Sequence, residues 1–379
     1  MLGNPFVIDR PLPPEELIDR EREANELLSL SAAGHNVRVS APRRYGKTTL
    51  LGRLLRDAKE SGLVTVYVDF FGVVSLAEIA LRIEEAYRDS LEGALARWYA
   101  GFTRTRRTKV RAGVGLAGIE VDLKPEEETA RLLQRLLALP VDVYERSGRR
   151  VLVIFDEFQA LLAASDAVDG LLRSRIQHQR EEASYVFAGS HPGLMAELFE
   201  SRERPLFGQA RALRLQPLDD ESLAEYIGSR FEATNRDVGV ALEPLLDLVR
   251  GHPQRAMLAA HHLWNATGEG TAADEEAWVA SLRTMLGELK EAFERTWEDL
   301  SANQRRVLTA VTWTRAGGAG EPLYGQSTLR RFRLTKGTAR DVVRGLLRRG
   351  DLEETPGGGV RLVDPLLESW IASGRRAPG

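Results

Sequence analysis

Residues 37–50 read VRVSAPRRYGKTTL, and this stretch decides the predicted fold of the chain. A short β-branched run stops at a loop that contains Pro42, and the loop leads through Gly-Lys-Thr into an apolar-periodic helix. A strand, such a loop and a helix form the context that a phosphate-binding loop requires. The pattern G-x-x-x-x-G-K-[ST] fits with one departure, because Ala41 stands at its first position. The alternative is a surface loop that contains Gly-Lys-Thr by chance.

The residue types of this loop suit a bound phosphate chain. Gly46 lets the backbone N–H groups close around the phosphates, and the Lys47 ammonium can reach their oxygens. The Thr48 hydroxyl can bind Mg²⁺, and the helix that follows points its positive end at the anion. We therefore expect nucleotide binding by the loop and the first turn of its helix, that is by Pro42, Arg43, Arg44, Tyr45, Gly46, Lys47, Thr48 and Thr49.

Length and composition indicate an ordinary globular protein. The 379 residues can bury a full core and predict two or three domains. Cysteine is absent, which excludes disulfides and thiolate metal sites and suits a reducing compartment. Aliphatic runs such as 151–155 are too short to span a bilayer, and the N-terminus lacks the apolar core of a signal peptide. We expect a cytoplasmic protein without a membrane partner.

A second motif reads VLVIFDE over residues 151–157. Its apolar run predicts a buried parallel strand whose carboxyl end meets the phosphate loop. In P-loop enzymes such an aspartate holds Mg²⁺, often through water, and a following glutamate can orient the attacking water. We assign Asp156 to Mg²⁺, and Glu157 to the general base, with Lys47 as a further catalytic residue. The alternative is a pair of carboxylates that caps a helix.

A further predicted strand, residues 184–190, ends in the small polar side chain of Ser190. We expect this strand beside that of Asp156, so that Ser190 touches the γ-phosphate or the attacking water as a catalytic residue. A buried strand over 63–70 and a short strand over 211–215 complete the predicted core. Helical patterns cover the connections, among them 47–60, 125–144 and 166–182.

Residues 93–125 interrupt this alternation of strands and helices, and we interpret them as a basic insertion in the core. A weak hairpin pattern over 110–123 overlaps a run of basic residues, namely Arg104, Arg106, Arg107, Lys109 and Arg111. An insertion that touches an anionic partner and a solvated flexible loop are the two alternatives.

The composition changes at Leu300. Residues 301–379 carry fourteen basic and seven acidic side chains, whereas the whole chain has a net charge of −3. Three helical patterns and two short strands around a glycine-rich turn predict a winged helix-turn-helix. Its third helix carries Lys336, Arg340 and Arg344, which could contact phosphates or base edges of double-stranded DNA. The alternative is a packing module that contacts protein.

With these motifs placed, the chain resembles the archaeal and bacterial ATPases of the STAND group, which are related to the AAA+ enzymes and the origin-recognition ATPases. The resemblance covers about residues 4–372, and the loop PRRYGKT carries it most specifically. Its other carriers are Asn4-Pro5-Phe6, Ile18-Asp19-Arg20-Glu21, Phe155-Asp156-Glu157-Phe158-Gln159, Ala188-Gly189-Ser190, Phe207-Gly208, Gly251-His252-Pro253 and Asp364-Pro365.

The resemblance implies an α/β fold with a P-loop, AAA+-like parallel five-stranded sheet of order 5-1-4-3-2. It divides the chain into an ATPase core (1–215), a helical lid (216–298) and a C-terminal winged-helix domain (299–379). It implies ATP as the nucleotide and Ser190 as a sensor. It also places four side chains at the cofactor, with Ile18 and Arg20 by the adenine and Pro253 and Arg255 on a lid helix.

One departure from the family pattern bears on the rate. Similar proteins usually carry arginine directly after Phe-Gly, where this chain has Gln209, and Arg211 is the nearest substitute. An arginine finger can contribute about 10³–10⁵ in rate. We therefore expect a slow, Mg²⁺-dependent ATPase whose nucleotide state positions the winged helix for DNA or partner contact. The alternatives are an ATP-switched DNA-binding regulator and an assembly ATPase that contacts a protein partner or forms a homo-oligomer without any DNA role.

Overall fold

The computed structural model of the protein describes residues 3–111, 125–165, 168–317, 321–355 and 357–374. Its centre is a parallel sheet of five strands: β1 (Val37–Ser40), β2 (Val64–Asp69), β3 (Val151–Asp156), β4 (Ala183–Gly189) and β5 (Arg211–Arg214). The strand order β2-β3-β4-β1-β5 confirms the predicted order, read from the opposite edge.

Helices cover both faces of this sheet, so its central strands are buried along their whole length. Because side chains alternate along a strand, Val153 and Phe155 enter the core on one face, and Leu152 and Ile154 enter the core on the other. The covering helices are α1 (Glu21–Ala32), α2 (Lys47–Glu60), α3 (Leu76–Ser90), α4 (Gly93–Arg111), α5 (Pro125–Leu136), α6 (Leu139–Ser147), α7 (Leu161–Ala164), α8 (Val168–Ile176) and α9 (Pro192–Glu200).

Of the two alternatives for the basic insertion, the flexible loop is wrong for residues 93–111, because these residues form the helix α4. The Tyr99 side chain is buried, and its hydroxyl donates to the Glu84 carbonyl over 3.0 Å. Apolar side chains with helical spacing outweigh the basic run that misled the prediction, namely Leu95, Trp98, Tyr99 and Phe102. The predicted hairpin over 110–123 lies outside the described residues from residue 112 onward.

Two further predicted helices are shorter than expected. The pattern over 125–144 forms α5 and α6, because Pro140 starts a new helix in its first turn. The pattern over 166–182 ends at Ile176, and the buried Gln179 side chain ties the following turn to the core. Its amide Nε2 donates to the Leu137 carbonyl over 2.8 Å, and its Oε1 accepts a hydrogen bond from Tyr185.

The remaining chain is mostly helical and packs around two further apolar clusters. Its elements are α10 (Asp220–Glu232), α11 (Leu242–Val249), α12 (Pro253–Ala266), α13 (Glu275–Glu298), α14 (Ala302–Arg315), α15 (Gln326–Arg331), α16 (Lys336–Arg349), β6 (Leu352–Glu354), β7 (Val360–Leu362) and α17 (Pro365–Gly374). Strands β6 and β7 form an antiparallel pair. Within the described ranges, every helix is too short or too polar to cross a bilayer.

The end of α16 packs closely against the start of α9. A Cβ atom at Gly193 would lie 2.4 Å from the Arg348 Cα, so only glycine allows the two backbones to approach this closely. The Arg348 guanidinium also pairs with the Glu197 carboxylate over 2.6 Å. The C-terminal segment therefore contacts the sheet-containing core shortly after strand β4.

Gly251 permits a close backbone contact before α12, so we expect Gly251→Ala to reduce the free energy of unfolding. Its φ angle is +73°, and a Cβ would lie 2.2 Å from the Leu218 carbonyl oxygen. Gly208 provides a control, because its φ is +68° but nothing lies within 4 Å of a Cβ. Gly208→Ala should lower the free energy of unfolding by about 1–2 kcal/mol, which is the cost of a left-handed backbone for alanine. Urea unfolding should show a larger loss for Gly251→Ala, and equal losses would contradict the clash.

Candidate nucleotide site

A cleft of about 520 Å³ opens between the phosphate-binding loop, the carboxyl ends of β3 and β4, and helix α12. This is the edge at which parallel α/β sheets bind their ligands. Its lining comprises residues 7–12, Ile18, Pro42, Arg43, Arg44, Gly46, Lys47, Thr48, Thr49, Phe71, Glu157, Ser190, Pro253, Gln254 and Met257. Most of the predicted nucleotide-binding residues therefore share one cleft.

The phosphate-binding loop has a backbone suited to an anion. Gly46 is in the left-handed region, with φ of 79°, and it precedes α2 without any side-chain cap on the first helical N–H groups. Such uncapped N–H groups, together with the helix dipole, favour a bound anion. Arg43, Arg44 and Thr48 are exposed along the same loop, so two guanidinium groups and a hydroxyl line the cleft.

Lys47 joins the loop to the two carboxylates that follow β3. Its ammonium contacts Asp156 Oδ1 and lies 2.9 Å from Glu157 Oε1, while only 8% of its side chain is exposed. Tyr67 on β2 donates its hydroxyl to Asp156 Oδ2 over 2.7 Å. Burial, with Asp156 as the next cause, raises the pKa of Tyr67, so its hydroxyl remains a donor. Both carboxylates therefore have compensating partners in a largely buried position.

Glu157 faces the cleft from a strained backbone position, with φ of 50°. Its Oε2 accepts the Ser190 hydroxyl over 2.7 Å and the Gln159 amide over 2.5 Å. Burial alone would raise the pKa of Glu157, but Lys47 and these hydrogen bonds lower it overall. The carboxylate is therefore held ionised. It makes no side-chain cap on the helical turn that follows, which contradicts the alternative of a capping pair.

A family model described as an ATPase domain predominantly from Archaea matches residues 17–255. The chain belongs to this ATPase family. The match spans the phosphate-binding loop, both carboxylates and the start of α12, so the geometry described above is that of a P-loop ATPase that binds and hydrolyses ATP. A search of curated proteins gives no match for the ATPase.

Two solved structures share the fold of the ATPase. The Walker-type ATPase of Pyrococcus abyssi is 18% identical with a TM-score of 0.65, and the alignment covers 97% of this chain and 99% of that chain. The ORC2 protein of Aeropyrum pernix, solved in ADPNP–ADP complexes, is 18% identical with a TM-score of 0.58, and 97% of each chain is covered. Together with the strand order, these likenesses identify an AAA+-like fold.

Three predicted cofactor residues of the ATPase do not line the cleft. Arg20 donates to Glu23 over 3.0 Å and to the Gln216 carbonyl, so it tethers two segments of the chain. Arg255 is buried against Asp364, with 3.0 Å between Nε and Oδ1. In each case a fixed hydrogen-bond acceptor outside the cleft holds the guanidinium. Neither guanidinium therefore lines the cleft in this conformation of the described residues.

Tyr45 is the third such residue, because its side chain is buried and points from the loop toward the C-terminal segment. Its ring packs edge-on against His252 with 4.9 Å between ring centroids, and its hydroxyl donates to Glu353 Oε1 over 3.3 Å. Burial lowers the pKa of His252 to about 4, so its imidazole is neutral and its Nδ1 accepts the backbone N–H of Arg255. The loop thus has one face toward the cleft and another toward strand β6.

Arg211, the substitute considered for the missing arginine, and the nearby Arg204 do not line the cleft. Arg204 pairs with Glu197 over 3.2 Å and with Asp169 over 3.6 Å. Arg211 is exposed on the edge strand β5, and the Gln209 carbonyl accepts the Asn36 amide over 3.3 Å. Among the described residues, the arginines of the cleft lining are Arg10, Arg43 and Arg44.

Several cleft residues escaped the sequence analysis. The lining includes residues 7–12 and Phe71, and Gln159 and Tyr67 hold the carboxylates from behind. The N-terminal segment has no periodic pattern that could reveal this position. It is docked by Asn4, whose amide donates to the His261 carbonyl on α12 over 3.0 Å. Gln159 had a detectable signal, since it belongs to the DEFQ motif that marks the end of β3.

Lys47→Met should destabilise the nucleotide-free ATPase most strongly at neutral pH. Removing one partner of a buried ion pair typically costs about 3–5 kcal/mol. Lys47 helps to lower the pKa of Glu157 below the ordinary glutamate value of 4.5. The stabilisation that Lys47 gives the folded state is therefore present above pH 4.5 and is lost as the pH falls below it. Urea unfolding of both proteins across this range should therefore show a difference that shrinks in acid. A difference that is independent of pH would contradict the electrostatic role.

Proposed function

We propose that the ATPase binds Mg²⁺–ATP in the cleft and hydrolyses it slowly, with Glu157 as the general base. One observation carries this proposal: Lys47, Glu157 and Ser190 line the cleft within hydrogen-bond distance of one another, and Lys47 also contacts the buried Asp156 behind them. These residues come from three separate segments of the chain, so a purely structural pair of carboxylates would not require this convergence.

The donor set around the phosphate-binding loop fits Mg²⁺. The ion prefers hard oxygen ligands, and it is usually bound by one or two protein groups together with substrate phosphates and water. Thr48 offers an exposed hydroxyl, and Asp156 offers a carboxylate at the end of β3. In the parts of the chain that the structure describes, no group of three or more His, Cys, Asp or Glu side chains could hold a metal alone. Bound there, Mg²⁺ would neutralise charge on the phosphates.

Hydrolysis requires Lys47 to change partners. When phosphate enters the cleft, the ammonium turns from the carboxylates to the phosphate oxygens, and Glu157 Oε1 becomes free to accept a proton. Water then attacks the γ-phosphorus, the bond to the bridging oxygen of ADP breaks, and the water proton passes to Glu157. The proton leaves with the phosphate product or with solvent. Ser190 keeps the carboxylate in place and can touch the γ-phosphate.

The base of the nucleotide would rest against the apolar part of the cleft. Ile18, Pro253 and Met257 line this part together with the N-terminal segment. Arg43 and Arg44 would contact the phosphates from the loop. Because Arg204 is neutralised by two carboxylates and Gln209 carries no charge, we expect slow turnover in the absence of a partner.

We further propose that residues 299–379 form a winged-helix domain, that 216–298 form the helical lid, and that nucleotide state repositions the winged helix. The order of α14, α15, α16 and the β6–β7 pair supports the first assignment. The contacts that would transmit the change are the Tyr45–Glu353 hydrogen bond and the Arg255–Asp364 pair, which link the loop and α12 to this segment.

A second candidate function is binding of double-stranded DNA through α16. Lys336, Arg340 and Arg344 are exposed on this helix, and Arg344 has only a weak, exposed contact with Asp341 at 3.6 Å. By contrast, Arg348 and Arg349 pair with Glu197 and Asp351. The first three side chains are therefore the candidates for phosphate contact. A protein partner or a homo-oligomer is the alternative use of the same module.

Substitutions at the floor of the cleft should separate binding from hydrolysis. Lys47→Ala removes a charge-assisted contact, so we expect ATP affinity to fall by about tenfold or more. Glu157→Gln keeps the shape but removes the base, and phosphate release should fall by about 10²-fold or more with binding retained. An ATP titration measures the affinity, and a phosphate-release assay measures the rate of hydrolysis. Glu203→Gln, at an exposed position, is the control. Wild-type hydrolysis by Glu157→Gln would refute the base assignment, and unchanged affinity in Lys47→Ala would refute the binding mode.

Anisotropy with a labelled duplex should detect the candidate DNA surface. Replacing both Arg340 and Arg344 by Ala should weaken binding and reduce the slope of log K against log salt by about two. The control replaces Arg82 and Arg175, which are exposed on core helices, and it should leave the slope unchanged. An absence of binding at low salt would exclude the DNA function. A nucleotide-dependent change in molecular mass without any DNA effect would instead support the protein-contact alternative.

A further inference from the structure

We infer that Gln159 is a positioning residue for hydrolysis, which holds the Glu157 carboxylate in one orientation together with Ser190. The inference rests on the proposed function, in which Glu157 is the general base. It assigns to the glutamine of the DEFQ motif a role in the reaction that the fold alone does not require.

The geometry around Glu157 is asymmetric. Oε2 accepts two neutral donors, the Ser190 hydroxyl at 2.7 Å and the Gln159 amide at 2.5 Å, and these two donors lie 3.4 Å from each other. Oε1 instead faces the Lys47 ammonium at 2.9 Å. One carboxylate oxygen is therefore held by groups that stay in place, and the other is held by the group that must leave for the phosphate.

This asymmetry determines which oxygen can act. Once Lys47 binds phosphate, Oε1 is the oxygen without a fixed donor, while the clamp on Oε2 prevents rotation of the carboxylate. A primary amide suits this task because it donates a hydrogen bond but has no charge and does not titrate. A lysine or arginine at the same place would hold the carboxylate equally well but would weaken it as a base.

The burial of Gln159 argues that its amide is kept for this contact. The residue is 7% exposed, and its Oε1 is buried without a hydrogen-bond partner in the structure described. Turning the amide over would satisfy nothing, because Oε1 would then face the Glu157 carboxylate. Packing alone would favour an apolar side chain here, since an unpaired buried acceptor destabilises the fold.

Gly189 makes room for this amide on the neighbouring strand. A Cβ atom there would lie 2.5 Å from Gln159 Oε1 and 2.5 Å from Met195 Sδ. The glycine directly before Ser190 thus allows the amide to reach Glu157 past β4. The same short segment therefore supplies one donor and the space for the other.

The test compares two buried glutamines in the full-length ATPase. Gln159→Met removes the clamp, whereas Gln179→Met removes an equally buried amide that bonds Leu137 and Tyr185 away from the cleft. We expect kcat of Gln159→Met to fall by between about tenfold and 10²-fold, because the base loses its orientation. The affinity of Gln159→Met for a non-hydrolysable ATP analogue should differ from the wild-type affinity by less than about twofold. Gln179→Met should retain kcat, while its thermal unfolding temperature should fall because a buried amide loses its hydrogen bonds.

The pH profile distinguishes positioning from a general loss of structure. A hydrogen bond to a carboxylate favours its ionised form, so the acid limb of kcat should move to higher pH in Gln159→Met. Gln159→Glu has the same shape as the native side chain and replaces the donating amide with a carboxyl group. It should move the limb in the same direction, because a second carboxylate disfavours ionisation of the first.

The outcomes separate this inference from the proposed function. An unshifted acid limb in both Gln159 variants, or an equal loss of kcat in Gln179→Met, would overturn the positioning role. If Glu157→Gln is inactive in the same assay, the proposed function survives that result. If Glu157→Gln hydrolyses ATP at the wild-type rate, the base assignment itself is wrong.

Discussion

The site depends on one constraint, which is that the Lys47 ammonium and the Asp156 and Glu157 carboxylates share a largely buried position. Removing such charges from water is costly unless each has a partner. In the described structure each group has one, and Tyr67, Ser190 and Gln159 satisfy the remaining oxygens. Phosphate can replace the carboxylates as the partner of Lys47, so the same constraint that pairs these charges prepares the cleft for an anion.

The sheet order explains how three distant segments meet this constraint. Because β4 lies between β1 and β3, the loop after β1 and the carboxylates after β3 approach each other across the end of β4. Ser190 follows β4 directly and therefore lies between the loop after β1 and the carboxylates after β3. With β3 in the middle, Ser190 would move away from Lys47, and with β1 in the middle, Ser190 and Glu157 would lie on opposite sides of it. The groups around Lys47 are thus brought together by the parallel topology rather than by a local motif.

The features that could be predicted from the sequence are those whose cause is local. The phosphate-binding loop and the strand before Asp156 follow from residue types within a few positions, and the structure has both at the cleft. Arg255 could not be placed in this way, because its partner Asp364 is distant in the sequence. The guanidinium forms a largely buried ion pair with this aspartate. Helix α4 was missed for a different reason, since charge was weighed above apolar spacing.

The distribution of contacts also explains how a change at the phosphate could reach the C-terminal segment. Tyr45 directly precedes Gly46 and Lys47, and its hydroxyl already contacts Glu353 on β6. Ser190 is closely followed by Gly193, where the backbone touches Arg348 on α16. Lys47 and Ser190, which contact the two carboxylate oxygens of Glu157, therefore each lie a few residues from a contact with the C-terminal segment. Because packed contacts of this kind do not deform continuously, a shift of Lys47 toward phosphate would favour a discrete change in how that segment docks.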